Sequence, residues 1–203
     1  MDRERAKSYQ GEIWGLDRTS HPGTVAGPLI STVTAFAGPL NRHRGGSTVA
    51  GMTADIARAQ YNSLLGAWNS RNPTAFAQLF DADGTLIGFD GSTATGPEEI
   101  QSHLTPIFAH HPTGHYVAKV MSIRVLATEA TLLRAISGMI PAGASQIDPT
   151  LNALHTLVGH RDSAGWRVAL FQNTPAQHHG RPELVERHLA ELQPLVPSLP
   201  PHA

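Results

Sequence analysis

Four polar residues stand where an apolar side chain would serve packing better or where a turn exposes a carboxylate: Asp83, His103, His155 and Gln172. Asp83 sits at an Asp-Gly turn just ahead of a strand, where it either caps the backbone or offers its carboxylate to a ligand. His103 falls on the apolar stripe of a helix, and His155 lies mid-strand among Leu151, Ala153 and Leu157. Each is either a core histidine satisfied by the backbone or a general acid/base, because a buried neutral imidazole needs a hydrogen-bond partner and titrates near neutrality when exposed. Gln172 shares strand parity with Trp166, Val168 and Leu170, which points it inward, whereas Asn173 shares parity with Arg167, Ala169 and Phe171 and points outward.

The candidate walls of a pocket are aromatic: Trp68, Phe80, Phe89, Phe108 and Trp166. Any one of them also reads as core. Arg134 is the one charge inside its strand, fit for a ligand oxygen or for pairing across a dimer. His110, His111 and His115 and the pair His178-His179 do not read as a metal site. No His-x-x-x-His on a helix accompanies them, no carboxylate stands at ligand spacing, and Pro112 and Gly114 indicate a loop. No Gly-rich phosphate loop or nucleophile elbow is present, so no cofactor is expected.

The bulk composition narrows the partners. A formal net charge of -1, from 15 Lys+Arg against 16 Asp+Glu, gives no electrostatic footprint for nucleic acid or an anionic membrane. The absence of cysteine excludes disulfides, thiolate catalysis and cysteine metal sites, and fits a cytoplasmic protein. Twelve histidines allow an appreciable charge change between about pH 5 and 8.

Three regions must position these residues. Residues 1–51 are Gly-rich without sustained apolar period and read as a loosely ordered leader. The apolar run Thr24–Leu40 is broken by Gly, Pro, Ser and Thr, and the acids before it spoil a signal-peptide n-region. A natural start at Met52, with the leader an upstream translation, is one expectation for this region. Residues 52–176 form the domain, and 177–203 a C-terminal helix with a Pro-rich tail. In the domain, Thr53 is the expected N-cap of a helix whose stripe is Ala57, Tyr61, Leu64, Leu65 and Trp68, with Arg58 and Gln60 off it. Asn72-Pro73 restarts a short helix, and Asp81–Gly84 is a turn. Thr85–Phe89, the Asp90-Gly91 turn and Ser92–Thr95 make a hairpin. Gly96-Pro97-Glu98-Glu99 opens a helix with the stripe Ile100, His103, Leu104, Ile107 and Phe108. Four long strands follow: Tyr116–Leu126, Thr131–Ile140, Thr150–His160 and Trp166–Asn173. All but one connector is short, and the exception, Pro141–Pro149, is a candidate flap. Short connectors imply antiparallel pairing, hence an α+β domain with helices on one face of a curved antiparallel sheet.

This order resembles the nuclear transport factor 2-like superfamily, in its SnoaL-like branch and SgcJ/EcaC subgroup. The likeness runs over residues 53–175. It rests on Tyr61…Leu64-Leu65…Trp68-Asn69, Asn72-Pro73-Thr74-Ala75-Phe76-Ala77, Phe80-Asp81-Ala82-Asp83-Gly84, Gly96-Pro97-Glu98-Glu99-Ile100 and Trp166-Arg167-Val168…Phe171-Gln172-Asn173-Thr174-Pro175. The resemblance implies a cone-shaped sheet with three helices packed on its concave face, a cavity between the layers, and a homodimer through the sheet. In catalytic relatives a carboxylate inside the cone acts as general base, the role it would give Asp83. It also implies a small apolar or aromatic ligand in bacterial secondary metabolism, handled either by cofactor-free isomerase, cyclase or hydrolase chemistry or by a non-catalytic binding or dimerisation module. An outward Phe171 would supply an apolar dimer face.

Overall fold

The computed structural model describes residues 48–198; the expected leader up to residue 47 lies outside it, as do Pro200 and Pro201. Helix α1 spans Val49–Asn69, and its apolar stripe is buried as the spacing requires: Ala57, Tyr61, Leu64 and Trp68 all face the core. Its N-cap is Thr48, whose hydroxyl accepts from the Gly51 amide at 3.2 Å, and not Thr53. Thr53 instead donates its hydroxyl back to the Val49 carbonyl at 2.9 Å within the helix. The helix therefore begins inside the stretch expected to be leader.

Asn72 caps the short α2 (Pro73–Ala77) by accepting from the Ala75 amide at 2.9 Å, with Pro73 where its missing N–H costs nothing. The strands are β1 (Phe80–Ile87), β2 (Thr93–Thr95), β3 (His115–Ala127), β4 (Ala130–Ile140), β5 (Asp148–Asp162) and β6 (Gly165–Pro175). Helix α3 (Gly96–His110) follows β2, and α4 (Pro182–Leu192) follows β6. The sheet order is β2-β1-β6-β5-β4-β3, so the sheet is open, with β2 and β3 as its edges.

The sheet is mixed. β3, β4, β5 and β6 form the expected antiparallel meander, and β1–β2 is antiparallel, but β1 runs parallel to β6. That pairing is long-range in sequence, the kind that short connectors cannot announce. Asp81–Gly84 is not a free turn: it lies within β1 as an irregularity between the pairs Phe80–Val168 and Thr85–Leu170.

Helix α1 packs on β3 and β4, α3 on β1 and β2, and α2 on α3. The core between these helices and the sheet includes Tyr61, Leu64, Phe76, Phe80, Leu104, Leu133, Leu157, Val168 and Phe171.

Helix α4 takes the opposite face. Leu192, Val117, Ile140 and Ile147 form a second core there, with Leu189 and Ile136 against it. Leu192 fills a notch at Gly138, where an added Cβ would stand 2.6 Å from Ile147 and 3.1 Å from Leu192. Ile147 belongs to the loop expected to act as a flap, and its burial ties that loop down. A Lys119–Glu191 ion pair on the surface joins α4 to β3. Because Leu192 is fully buried against a fixed notch, Leu192→Ala should lower unfolding free energy by about 2–4 kcal/mol in urea titration. An effect under about 0.5 kcal/mol would show that α4 does not dock there.

Candidate functional site

The inner face of β6 does not follow simple alternation. Val158 pairs with Leu170 and Gly159 with Val168, so Ala169 has no partner across the ladder. One extra residue reverses the parity of everything beyond it. Val168 faces the helices, and after Ala169 so do Phe171 and Asn173, while Gln172 turns to the outer face. The expected inward Gln172 and outward Phe171 are both reversed by this bulge. The approach there is close: a Cβ on Gly159 would meet the Thr131 hydroxyl at 2.6 Å and Gln60 Oε1 at 2.8 Å. Gln60, expected off the helical stripe, is buried.

A cleft opens between α1 and the inner sheet. Its walls are Leu64, Leu65, Trp68, Phe76, Leu86 and Phe171, and its polar groups come from Tyr116 and Asn173. It holds about one water molecule in this packing. Leu65 is the half-buried member of its wall. Two hydrogen bonds fix Tyr116 from the end of α1: Asn69 Nδ2 donates to its carbonyl at 3.1 Å, and its amide donates to Asn69 Oδ1 at 2.8 Å. The Trp68 indole donates to the Gly114 carbonyl at 3.1 Å, which sets the ring across the cleft. Asn173 Nδ2 donates to the Tyr116 hydroxyl at 2.6 Å, and Asn173 Oδ1 is fully buried.

Behind this wall lies His155, opposite Asn173 across the β5–β6 ladder and fully buried. Its Nδ1 is 2.8 Å from the Tyr61 hydroxyl and its Nε2 is 2.9 Å from Ser137 Oγ. Ser137 Oγ also lies 3.4 Å from the Ala153 carbonyl, to which it donates. A neutral imidazole satisfies all of these: Tyr61 donates to Nδ1, Nε2–H donates to Ser137, and Ser137 donates onward. Burial pushes the His155 pKa down to about 3; the neighbouring Asn173 side chain opposes the shift and His188 adds to it. Burial also holds the Tyr61 and Tyr116 phenols well above their ordinary range, with Tyr116 adding to the shift at Tyr61.

The other expected site residues are dispersed. Asp83 is exposed on the irregular part of β1, away from the cleft wall. His103 is half-buried at the border of the α3 stripe. Of the expected ligand contacts, Trp68 lines the cleft, while Phe80, Phe89 and Phe108 are core. Arg134 is exposed, and Trp166 is half-buried at the other end of the sheet, near Gly159. Sequence reasoning missed Tyr116, Asn173, Tyr61 and Ser137 as site residues. Tyr61 carried a signal, a hydroxyl on a buried stripe, but Asn173 was hidden by the bulge. Among the described residues no group of three His, Asp or Glu side chains gathers as a metal site. None of the described helices is long and apolar enough to cross a membrane.

The helices over an open, strongly paired sheet with a cleft at their interface make an α+β fold that solved structures share, among them proteins described as having a cystatin-like fold or as nuclear transport factor 2-like. A domain of unknown function with a cystatin-like fold from Nostoc punctiforme is 20% identical, covers 72% of this chain and 96% of its own, and superposes with a TM-score of 0.58. A protein from Novosphingobium aromaticivorans, provisionally described as a scytalone dehydratase, is 15% identical over 62% of this chain and 84% of its own, with a TM-score of 0.51. A nuclear transport factor 2-like protein of unknown function from Pseudomonas putida is 15% identical over 61% and 86%, with a TM-score of 0.50. No family model matches the chain, and no curated protein matches its sequence.

His155 is neutral in the fold and would titrate near pH 6.5 when unfolded. Its folded pKa is lowered, so its contribution to stability is present above pH 6.5 and is lost as pH falls toward 3. In urea titrations, the stability gap between the native chain and His155→Leu should therefore narrow by roughly 3 kcal/mol between pH 6.5 and 4. A gap that stays constant over that range would show that His155 is not held neutral.

Proposed function

We propose that this chain binds a small apolar or aromatic molecule between α1 and the inner face of the sheet, and that binding rather than proton transfer is the work of the site. The observation that carries this reading is the character of the cleft: aromatic and aliphatic walls around two neutral polar side chains, Tyr116 and Asn173. A site of this kind orients an apolar body by a few polar groups. A general base must be accessible and near its working pKa. His155 is enclosed, hydrogen-bonded at both ring nitrogens and pushed down to about 3, and Asp83 is exposed outside the cleft. The dehydratase described among the structural neighbours supports a small-molecule site in this fold, not a reaction for this chain.

A bound ring requires more space than one water occupies. Leu65, half-buried at the cleft wall, is the side chain whose movement would open it. The helices α1, α2 and α3 would then close a cone over the concave side of the sheet. The test uses toluene as an uncharged apolar probe and the indole 15N–H signal of Trp68. Saturable movement of that signal is expected, and no movement at millimolar toluene would end the binding reading.

The outer face of the sheet is proposed as the contact for a second copy. Phe171 does not supply it. Ile87, Leu154, Val158 and Leu170 do, since all are half-buried apolar residues on strands whose alternate positions face the core. Helix α4 already covers the part of this face around Val117 and Ile140, which leaves the β1–β6–β5 side for the partner. Sedimentation at micromolar concentration should give a dimer, and Leu170→Lys a monomer. A monomeric native chain would remove the proposal.

A further inference from the structure

Two histidines meet over the outer face of the sheet where α4 docks. His188 of α4 is buried, and its Nε2 gives its hydrogen to the Ser137 carbonyl at 2.8 Å. That fixes the tautomer of the neutral ring, so its Nδ1 can only accept. His178 Nε2 lies 3.5 Å from that Nδ1 and is the donor to it. The backbone at His178 is left-handed, with φ 42°, a conformation that a non-glycine residue keeps only where its surroundings hold it. Leu192, one helical turn beyond His188, fills the notch at Gly138. The docked position of α4 and the uncharged state of His188 are therefore conditions of one contact.

We propose that His178 and His188 form a pH-sensitive latch: the neutral pair holds α4 on the outer face, and a proton on His188 loosens it. That proton must enter at Nδ1, where it meets the hydrogen of His178 in a nearly enclosed site. With both rings charged, two cations stand 3.5 Å apart. Among the described residues no carboxylate lies within ion-pair distance of either ring. On α4, Glu191 is turned to Lys119 of β3, and Glu183, Glu186 and Arg187 are exposed. Asp148 at the start of β5 accepts from the Thr150 amide, and the outward charge of β4 is the exposed Arg134. His155 lies on the other side of Ser137, and His179 and Arg181 are exposed in the segment before α4. The turn after α4, Gln193–Ser198, carries no charge. Burial, the largest influence on His188, acts in the same direction: it holds the ring below its ordinary pKa, with His178 adding to the shift and the Ser137 bond opposing it. The docked value is thus the lowered one, so the contribution to docking is fully present above about pH 6.5 and is lost as pH falls below it. Each pH unit in that range multiplies the undocked population by up to about 10. Undocking uncovers Val117 and Ile140 and frees the loop that Ile147 ties down.

Amide hydrogen exchange on the 15N-labelled full chain, corrected for the intrinsic rate at each pH, reads the opening of α4 through the Leu189 and Leu192 amides. Their opening constants should rise at least about 5-fold between pH 7 and 5. The Leu157 amide of the core strand β5 should stay better protected than α4 at every pH, which marks a local release rather than unfolding. In His188→Gln the side-chain amide still donates to the Ser137 carbonyl but does not titrate, so the opening of α4 should be flat within twofold over the same range. His178→Ala removes the second charge, and the pH response should shrink without vanishing. If His188→Gln does not fold, His178→Ala carries the comparison, and a response identical to that of the native chain would overturn the pairing. A native α4 whose opening changes by less than twofold, an equal change in His188→Gln, or exchange of α4 and Leu157 in step would each overturn the latch.

Discussion

Everything that faces the cleft depends on one unpaired residue. Ala169 has no partner across β5, and the Gly159–Val168 pair follows directly on Val158–Leu170. A strand alternates its side chains with a period of two, so Val168 and Phe171 cannot both face the same core in a regular ladder. The bulge lets them do so. It also sets β1, whose Leu86 and Ile87 pair with Phe171 and Gln172 in the segment beyond Ala169. Without the extra residue Asn173 would point away from Tyr116, and the cleft would lose its polar end.

The elements were legible where side chains repeat with a helix period. The stripes of α1 and α3 are buried apart from Leu65 and His103, which are half-buried, and Asn72-Pro73 caps α2 through a local hydrogen bond that spacing alone predicts. The meander was legible because its connectors are short. What was not legible is long-range. The parallel pairing of β1 with β6 joins residues far apart in the chain, and no local pattern encodes it. Strict alternation counted from Trp166 to Asn173 gives the wrong face beyond Val168, since nothing in the residue type of Ala169 marks it as unpaired. The Thr48 cap was missed for a different reason: Thr53 is an equally good cap residue by type, and only the position of the first turn decides between them.

His155 illustrates how a polar residue on an apolar face can be read correctly and still mislead. Its place inside the core follows from Ala153 and Leu157 on either side, both fully buried. Chemistry would require one ring nitrogen to be available. Tyr61 and Ser137 occupy both, and the arrangement is complete only for the neutral ring. Burial without a counter-charge favours the same form. The imidazole is thus best understood as the joint between α1 and the β4–β5 pair: one bond to a helix residue, one to the adjacent strand. Its hydroxyl relay through Ser137 ends on the Ala153 carbonyl.

Ser137 carries that joint through the sheet. Its hydroxyl bonds His155 on the inner face, and its carbonyl accepts from His188 of α4 at 2.8 Å on the other. The β4–β5 register shifts just beyond this residue, between Ser137 and Met139. His188 is held below its ordinary pKa, chiefly by burial, with the Ser137 bond opposing and His178 nearby adding to the shift. A protonated His188 would keep the bond to Ser137 but place a charge in a buried site beside His178, so the same burial that satisfies the carbonyl also disfavours the charged imidazole. A sheet is one residue thick. The contact that docks α4 and the contact that fixes the wall behind the cleft therefore meet at a single residue, and neither face of β4 can be repacked there without moving the other.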